Sequence, residues 1–506
     1  MKTFRILTGL ILATAASFTL RAADPQQSDY YKITTFDTPP GTALEVGSID
    51  LLPEGKLAVG TRRGEIWTVS NADSEPANVK YQLFASGQHE VLGLAYNKKD
   101  GWLYATNRYE VLRLKDTTGS GRADKFETVC DKWGVSGDYH EYSFGSRFDK
   151  DGDLWVVLCL TGSFSSQVPF RGWCVRVKPD GTMIPTCSGI RSPGGIVVNY
   201  DNEVYYTDNQ GPWHGACTLQ HLIPGTFQGH PGGNKWYSLA PNMGPQPVDP
   251  IPEAFQNGRK KGDKEHVDPD RLEAERKRIK ELVPPALYIP YGSMGNSSSF
   301  IVPDLSGGKF GPFEKQLFIA DQSHSIISRA YLETVNGVKQ GVIIPFMKGF
   351  KSGLIGGRMN DKGQLFAGGS DRGWGAKGGQ PFSFERVDWT GKVPFEIHEM
   401  HAKPDGFEVT FTQPVDERTA GDIASYKARE FTYAYREEYG GPEVDDKFPK
   451  ITKAVVSADK KSVRLTWDKL SQGDIHELHL DGVRSADGQP VLHPVAYYTL
   501  NEIPAK

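Results

Sequence analysis

The sequence predicts an all-β protein: a six-bladed β-propeller followed by a C-terminal immunoglobulin-like β-sandwich. Three observations lead there. A phrase made of a Gly- or Asn-bearing turn, a bulky alternating strand and a polar cluster recurs six times, as LLPEGKLAVGTRRG, YNKKDGWLYATNRY, FDKDGDLWVVLCLTG, NYDNEVYYTDNQGP, PFEKQLFIADQSHS and MNDKGQLFAGGSDRGW. Most copies lie about 45 to 50 residues apart, close to the length of one propeller blade. After about Pro394 the pattern becomes strict alternation in FEVTFTQPVD, KSVRLTWDKL and IHELHLDGV, the signature of a sandwich of short strands.

The elements follow in order. Lys2 and Arg5 precede an apolar run that ends in small residues near Ala22 and Ala23, so 1–23 reads as a cleaved signal peptide and the mature chain as exported, periplasmic or extracellular. No segment is long and apolar enough for a confident membrane span. From about Tyr30 to Trp389, period-two strands alternate with Gly, Asn and Asp turns, which assigns 24–393 to the propeller. Residues 31–36 are free to complete the last blade.

The fourth and fifth copies stand about twice as far apart as the others, so an insertion is expected over about 240–285. Within it Asp268 and Pro269 cap the run RLEAERKRIKELV, a helix with Leu272, Ile279 and Leu282 on one stripe and a solvated charged face. Residues 394–506 form the sandwich, with Phe407, Val409 and Phe411, then Val463, Leu465 and Trp467, on one side of their strands.

A chain of 506 residues with net charge −4 carries no basic stripe, which argues against a nucleic-acid partner and leaves a sugar or another neutral polar ligand as the better match. The five cysteines, Cys130, Cys159, Cys174, Cys187 and Cys217, show no CxxC or CxxCH spacing. They read as small buried apolar residues, with one disulfide allowed. In DTTGSGRADKFE only Asp116 and Asp124 remain of a calcium-loop pattern, so an exposed hairpin turn is expected.

In a propeller whose turns EGK, KDG and DKG close one face, the loops leading into each blade and the loops after each second strand open on the other face. That places Gln88, His89, His140, Glu141, Arg191, Asp208, Asn209, Asp321, His324, Asp371 and Arg372 around one mouth. Donors, acceptors and imidazoles in one funnel suit a polyhydroxylated ligand and proton transfer. Asp and Asn in such loops also satisfy turn backbones.

At these same loops the chain resembles the glucose/sorbosone dehydrogenase propellers, which include soluble quinoprotein glucose dehydrogenase. GQHEVLGLAY is similar to the family's Gly-Gln-x-x-Leu-Leu-Gly segment, YHEYSFGSRFDKDG to its His-bearing segment, IRSPGGIVV to its Arg-Asn-Pro-x-Gly segment and DNQGPWHG to its Gln-Gly-Pro loop. The resemblance runs collinearly from about Tyr30 to Asp388. It implies a small-molecule or oligosaccharide substrate, a sugar hydroxyl oxidised by hydride transfer to pyrroloquinoline quinone (PQQ), and possible delivery to a separate electron acceptor. His140 would be the general base and Arg191 would stabilise developing charge. Gln88, Ser192, His324 and Arg358 would contact the cofactor, and Gly211 and Pro212 would offer carbonyls to Ca²⁺. Ser192 stands where the family has Asn, and Ser323 or His324 where it has a clamping Lys. Two alternatives stand beside this one: a carbohydrate-active lyase or hydrolase using His140 with Glu141 or His324, and a non-catalytic glycan-binding or scaffold propeller.

Overall fold

The computed structural model describes residues 24–248 and 271–505. The signal-peptide stretch and the centre of the insertion, with Asp268 and Pro269, lie outside the described residues. The architecture is all-β, built mainly from four-stranded antiparallel sheets in which sequential strands are neighbours. Bulky alternation between Gly, Asn and Asp turns produces these meanders directly, since side chains on successive residues face opposite sides of a strand.

The first strands of six sheets are Val46–Leu51, Gly93–Asn97, Ser143–Gly145, Pro193–Val198, Ser298–Pro303 and Gly356–Met359. Each touches the next, and the sixth touches the first, so they close a ring. Packing there is tight enough to require glycine: a Cβ on Gly93 would lie 2.7 Å from the Gly145 Cα. The ring is latched by the chain's own start. Tyr31–Thr35 pairs with Phe382–Trp389 as the outer strand of the last sheet, with Tyr31 opposite Trp389. The 31–36 expectation is met here to within one residue.

Residues 394–506 depart from a separate sandwich. One sheet, built from Ile397–Lys403, Gly406–Phe411, Ser462–Trp467 and Ile451–Val456, stands by itself. The other, which includes Lys427–Thr432, Ile475–His479 and Val495–Thr499, continues the fifth sheet of the ring: Val342 pairs with Tyr498 and Ile343 with Tyr497. The cause is a long hairpin. Ile326–Val335 and Val338–Lys348 are 10 and 11 residues long, and such an edge is stable only when covered. Val342 and Ile344 therefore share one core with Phe407, Trp467 and Tyr498.

The insertion's helix is shorter than expected, Leu272–Arg278. Leu272, Ile279 and Leu282 pack together with Phe227 and Tyr435, as the stripe predicts. The charged face is solvated at Lys277, Arg278 and Lys280, as expected, while Arg271 bridges Asp445 and Asp474 and Arg276 lies 3.7 Å from Glu502. All five cysteines are buried and free; Cys174 and Cys187 are cross-strand partners without a bond between them. Asp116 accepts from the backbone N–H groups of Thr118, Gly119, Ser120 and Gly121, which caps the hairpin turn with the carboxylate itself. Among the described residues no helix is long and apolar enough to cross a membrane.

A chain ended at residue 393 should lose the cover of the Val338–Lys348 edge and the apolar face of Val342 and Ile344. Size-exclusion chromatography and thermal unfolding are expected to show self-association and a lower Tm than the full chain; a monomer of unchanged Tm would count against the shared core.

Candidate functional site

A cavity of ≈ 300 Å³ opens where the leading loops of the third to fifth sheets meet the loops after their second strands. It is lined by His140, Arg191, Ser192 and Asn209 of the sequence-derived set, joined by Arg62, Tyr142, Ser163, Gln210, Ser297–Ser299 and Gln322, with Phe164, Tyr291, Trp374 and Tyr439 around it.

His140 is positioned by buried cations acting on its backbone. Arg108 donates through Nη1 to the Asp138 carbonyl and through Nη2 to the Tyr139 carbonyl, each at 2.7 Å. Arg171 donates through Nη1 to the Glu141 and Tyr142 carbonyls, each at 2.9 Å. The carbonyls on both sides of His140 are thus tied down by charge-assisted hydrogen bonds, which fixes where the imidazole points. Burial lowers the His140 pKa below its ordinary value. Asp138, 3.8 Å from Nδ1, pulls it back, while Arg191 and Arg108 push it further down. The ring is therefore uncharged at neutral pH and able to accept a proton.

Arg191 sits across the cavity floor. Its Nη1 donates to the carbonyls of Asn209 at 3.1 Å and Gln210 at 2.6 Å, its Nε is buried without a partner, and its guanidinium lies 5.0 Å from the Tyr439 ring centroid. Gly211 makes room for it: a Cβ there would lie 1.9 Å from the guanidinium carbon. Ser299 Oγ, also lining the cavity, is likewise buried and unpartnered.

The remaining sequence-derived residues build the walls without reaching the cavity. Asp208 ends one second strand and accepts from the backbone N–H groups of Arg191 at 2.9 Å and Ser192 at 2.6 Å. Asp321 does the same one sheet later, accepting from Asn296 at 2.8 Å and Ser297 at 2.7 Å. Both carboxylates face backbone because a loop turning into a buried strand leaves N–H groups that need an acceptor. Glu141 faces away from the cavity, accepting from Ser136 Oγ and Thr161 Oγ1 at 2.8 Å each. Gln88, exposed His89, His324, Asp371, Gly211 and Pro212 are outside the lining, and the Gln88 backbone is held by Gly64. Arg372 binds Glu45 at 2.7 Å and Glu90 at 3.4 Å. Arg358 is on an innermost strand, paired with Asp50 at 3.1 Å, away from the lining.

Sequence reasoning missed Glu90, next to His89. Its carboxylate is buried and accepts from Arg62 at 3.2 Å, Arg108 at 2.7 Å and Arg372 at 3.4 Å, joining the sixth, first and second sheets at the mouth. It also missed Ser163 and Phe164, whose loop in the third copy was not counted among the mouth loops. Gln322 was visible in the repeat as the residue after Asp321; it donates to the Ser370 and Trp374 carbonyls. Nothing in the repeat signals Tyr439, which arrives from the C-terminal part.

No family model and no curated protein matches the chain. Solved structures similar to it include an oxidoreductase described as a glucose dehydrogenase from Thermus thermophilus, with 17% identity, a TM-score of 0.48, and coverage of 71% of this chain and 99% of that one. The PQQ-bound aldose sugar dehydrogenase of Streptomyces coelicolor shows 14% identity and a TM-score of 0.45 over 72% of this chain and 100% of its own. A calcium structure of a Trichoderma reesei carbohydrate-active enzyme of family AA12 shows 12% identity and a TM-score of 0.47, covering 75% and 100%.

The residues present do not fit the calcium and quinone implied by the resemblance. The loop carbonyls of Asn209 and Gln210 accept from Arg191, and the Gly211 carbonyl accepts from the His214 N–H at 3.0 Å. A divalent ion at this loop would face a guanidinium. The two lining guanidinium groups are engaged as well: Arg62 serves Glu90, the Arg372 carbonyl, Tyr139 and Tyr142. A tricarboxylate needs several cationic clamps and would find one partly committed guanidinium, Arg191. Among the described residues, no three His, Cys, Asp or Glu side chains gather as a metal site.

Replacing Glu90 with Ala strands buried guanidinium groups and is expected to cost roughly 3–5 kcal/mol in denaturant unfolding. Gly211→Ala should leave stability nearer wild type but displace Arg191, read as loss of ligand binding by calorimetry.

Proposed function

We propose that the ring is a six-bladed propeller over 24–393, that 394–506 form an immunoglobulin-like sandwich fused to its fifth blade, and that the cavity is the sugar site of an exported oxidoreductase-like propeller of the glucose/sorbosone dehydrogenase kind. The similar structures bear names of glucose and aldose dehydrogenases. The observation that carries the reading is the pairing, in one polar cavity, of an uncharged His140 imidazole with Arg191, with no carboxylate in the lining among the described residues.

The chemistry follows from that pairing. A sugar hydroxyl donates to His140, which takes its proton, and the positive charge of Arg191 in the same lining stabilises the oxyanion left behind. The serine hydroxyls of the lining supply hydrogen bonds to the remaining hydroxyls. Oxidation also needs a two-electron acceptor, which no protein side chain here provides. Among the described residues a hydrolase with two carboxylates has no counterpart in the lining, since Glu141 faces away and no described Asp or Glu lines the cavity.

One observation favours a second reading, a cofactor-free carbohydrate lyase. Arg191 holds a permanent positive charge 2.6 Å from the Gln210 carbonyl, and a guanidinium there suits a uronate carboxylate while His140 removes the neighbouring proton.

The test is dye reduction with a panel of hexoses, glycosides and oligosaccharides, run without addition and with PQQ plus Ca²⁺, alongside ultraviolet detection of an unsaturated product from uronate oligosaccharides. With the dye itself as the two-electron acceptor, its reduction is expected without added cofactor, and His140→Ala should lower kcat roughly 10²–10⁴-fold. Because the imidazole must be unprotonated and its pKa is lowered, activity should fall with decreasing pH only below the ordinary histidine value of ~6.5. Removing Asp138, which raises that pKa, should move the acid limb lower still. Unsaturated product without dye reduction supports the lyase, and neither signal on any substrate overturns both readings.

A further inference from the structure

The loop 433–443, between Lys427–Thr432 and Val444–Lys447, leaves the C-terminal part and forms one wall of the cavity. It is anchored on both sides of its tip. Before the tip, the Tyr433 hydroxyl accepts from the Tyr291 N–H at 3.4 Å, the Tyr435 hydroxyl donates to the Gly229 carbonyl at 2.6 Å, and the Arg436 carbonyl accepts from the Trp213 N–H at 2.8 Å. After it, the Gly441 N–H donates to the Gly215 carbonyl at 3.2 Å. Gly440, at φ 62°, passes so close to Gln210 that a Cβ would lie 2.6 Å from its side-chain carbonyl carbon.

Between these anchors Tyr439 is presented at the mouth, 48% exposed. Its ring lies 5.7 Å from Phe164 and covers the Arg191 guanidinium. Beside the base, Trp374, 45% exposed, lies 5.4 Å from the His140 ring and 5.7 Å from Tyr139. The floor between them is polar: Ser192, Ser298, Asn209 and Gln210. Exposed aromatic faces concentrated on the rim of a polar cavity mark a ligand with polar edges and apolar faces. A pyranose has both, and a sugar ring seated on the floor beside His140 leaves the rim faces for a neighbouring unit.

Resting on the carbohydrate reading of the cavity, we propose that Tyr439 is a specificity-determining residue that stacks the second sugar unit, so that the site takes an oligosaccharide or glycoside in preference to a free monosaccharide. The C-terminal part is thereby a component of the binding site as well as cover for the fifth sheet.

The experiment compares wild type, Tyr439→Ala and Tyr439→Phe by titration calorimetry against glucose, galactose, mannose and glucuronic acid and against di- and tetrasaccharides built from them. Because the loop is anchored elsewhere, all three proteins should fold, with Tyr439→Ala slightly lower in Tm for loss of the ring over Arg191 and Tyr439→Phe at the wild-type Tm. Wild type is expected to bind its best oligosaccharide at least tenfold more tightly than the parent monosaccharide. Tyr439→Ala should erase that tenfold preference while monosaccharide affinity holds, and Tyr439→Phe, which keeps the ring face, should restore it. Equal preference in wild type and Tyr439→Ala, parallel weakening of monosaccharide and oligosaccharide, or no rescue by Phe overturns the assignment and leaves the carbohydrate cavity standing. Failure of every saccharide to bind wild type overturns the carbohydrate reading and this assignment with it.

Discussion

The cavity depends on two buried guanidinium groups that grip backbone. Arg108 and Arg171 hold four carbonyls around His140, and Arg171 also holds the Arg108 carbonyl itself at 2.7 Å. A loop of Gly, Asp and Tyr would otherwise have many conformations, and its carbonyls would need water. Burying two cations is costly, and the protein offsets it unevenly. Arg108 has Glu90 at 2.7 Å, whereas Arg171 has carbonyls and the nearby Glu141, and burial pushes its pKa down to about 10. It stays charged at neutral pH. The loop is therefore rigid for an electrostatic reason, and rigidity near a base is what a proton transfer requires.

The same logic of distant parts closing on one another runs through the fold. The first strand completes the last sheet, Glu90 joins sheets from both sides of the seam, and the Val495–Thr499 strand near the C-terminus lies on the fifth sheet. Each link joins residues far apart in sequence, so the ring forms only when most of the chain has been collected. Once formed, the leading loops have no freedom to drift apart, and the mouth inherits the ring's geometry. The loop 433–443 benefits twice, since the sheet that carries its strands is an extension of the ring.

What could be read from the sequence was whatever repeats. Six copies of one phrase located the sheets, their turns and the side on which the loops gather, because period-two alternation and Gly or Asn turns are local properties. The latch at 31–36 was legible as an orphan strand. Direction within a loop was not. Asp208, Glu141 and Asp321 sit in the right loops yet turn their carboxylates onto backbone or hydroxyl donors, and which way an acid points depends on N–H groups contributed by another segment. Arg358, which the resemblance implied as a cofactor contact, meets Asp50 on the neighbouring strand. Tyr439 carries no repeat signal, since it reaches the cavity through a sheet extension visible only in three dimensions.

Arg191 shows why local resemblance and site chemistry separate. The segment IRSPGG and the loop DNQGP resemble calcium- and quinone-binding counterparts, yet here the guanidinium from the first lies on the carbonyls of the second. Once Gly211 opens the space, the guanidinium occupies those carbonyls, so a calcium ion would have to displace it and meet its charge. The positive charge at the floor then persists independently of metal supply. It also differs in kind: a planar guanidinium donates directional hydrogen bonds, where a calcium ion would gather oxygens from many directions. A site with a fixed fork on one side and an uncharged imidazole on the other is matched to a substrate that loses a proton between them, whatever later accepts its electrons.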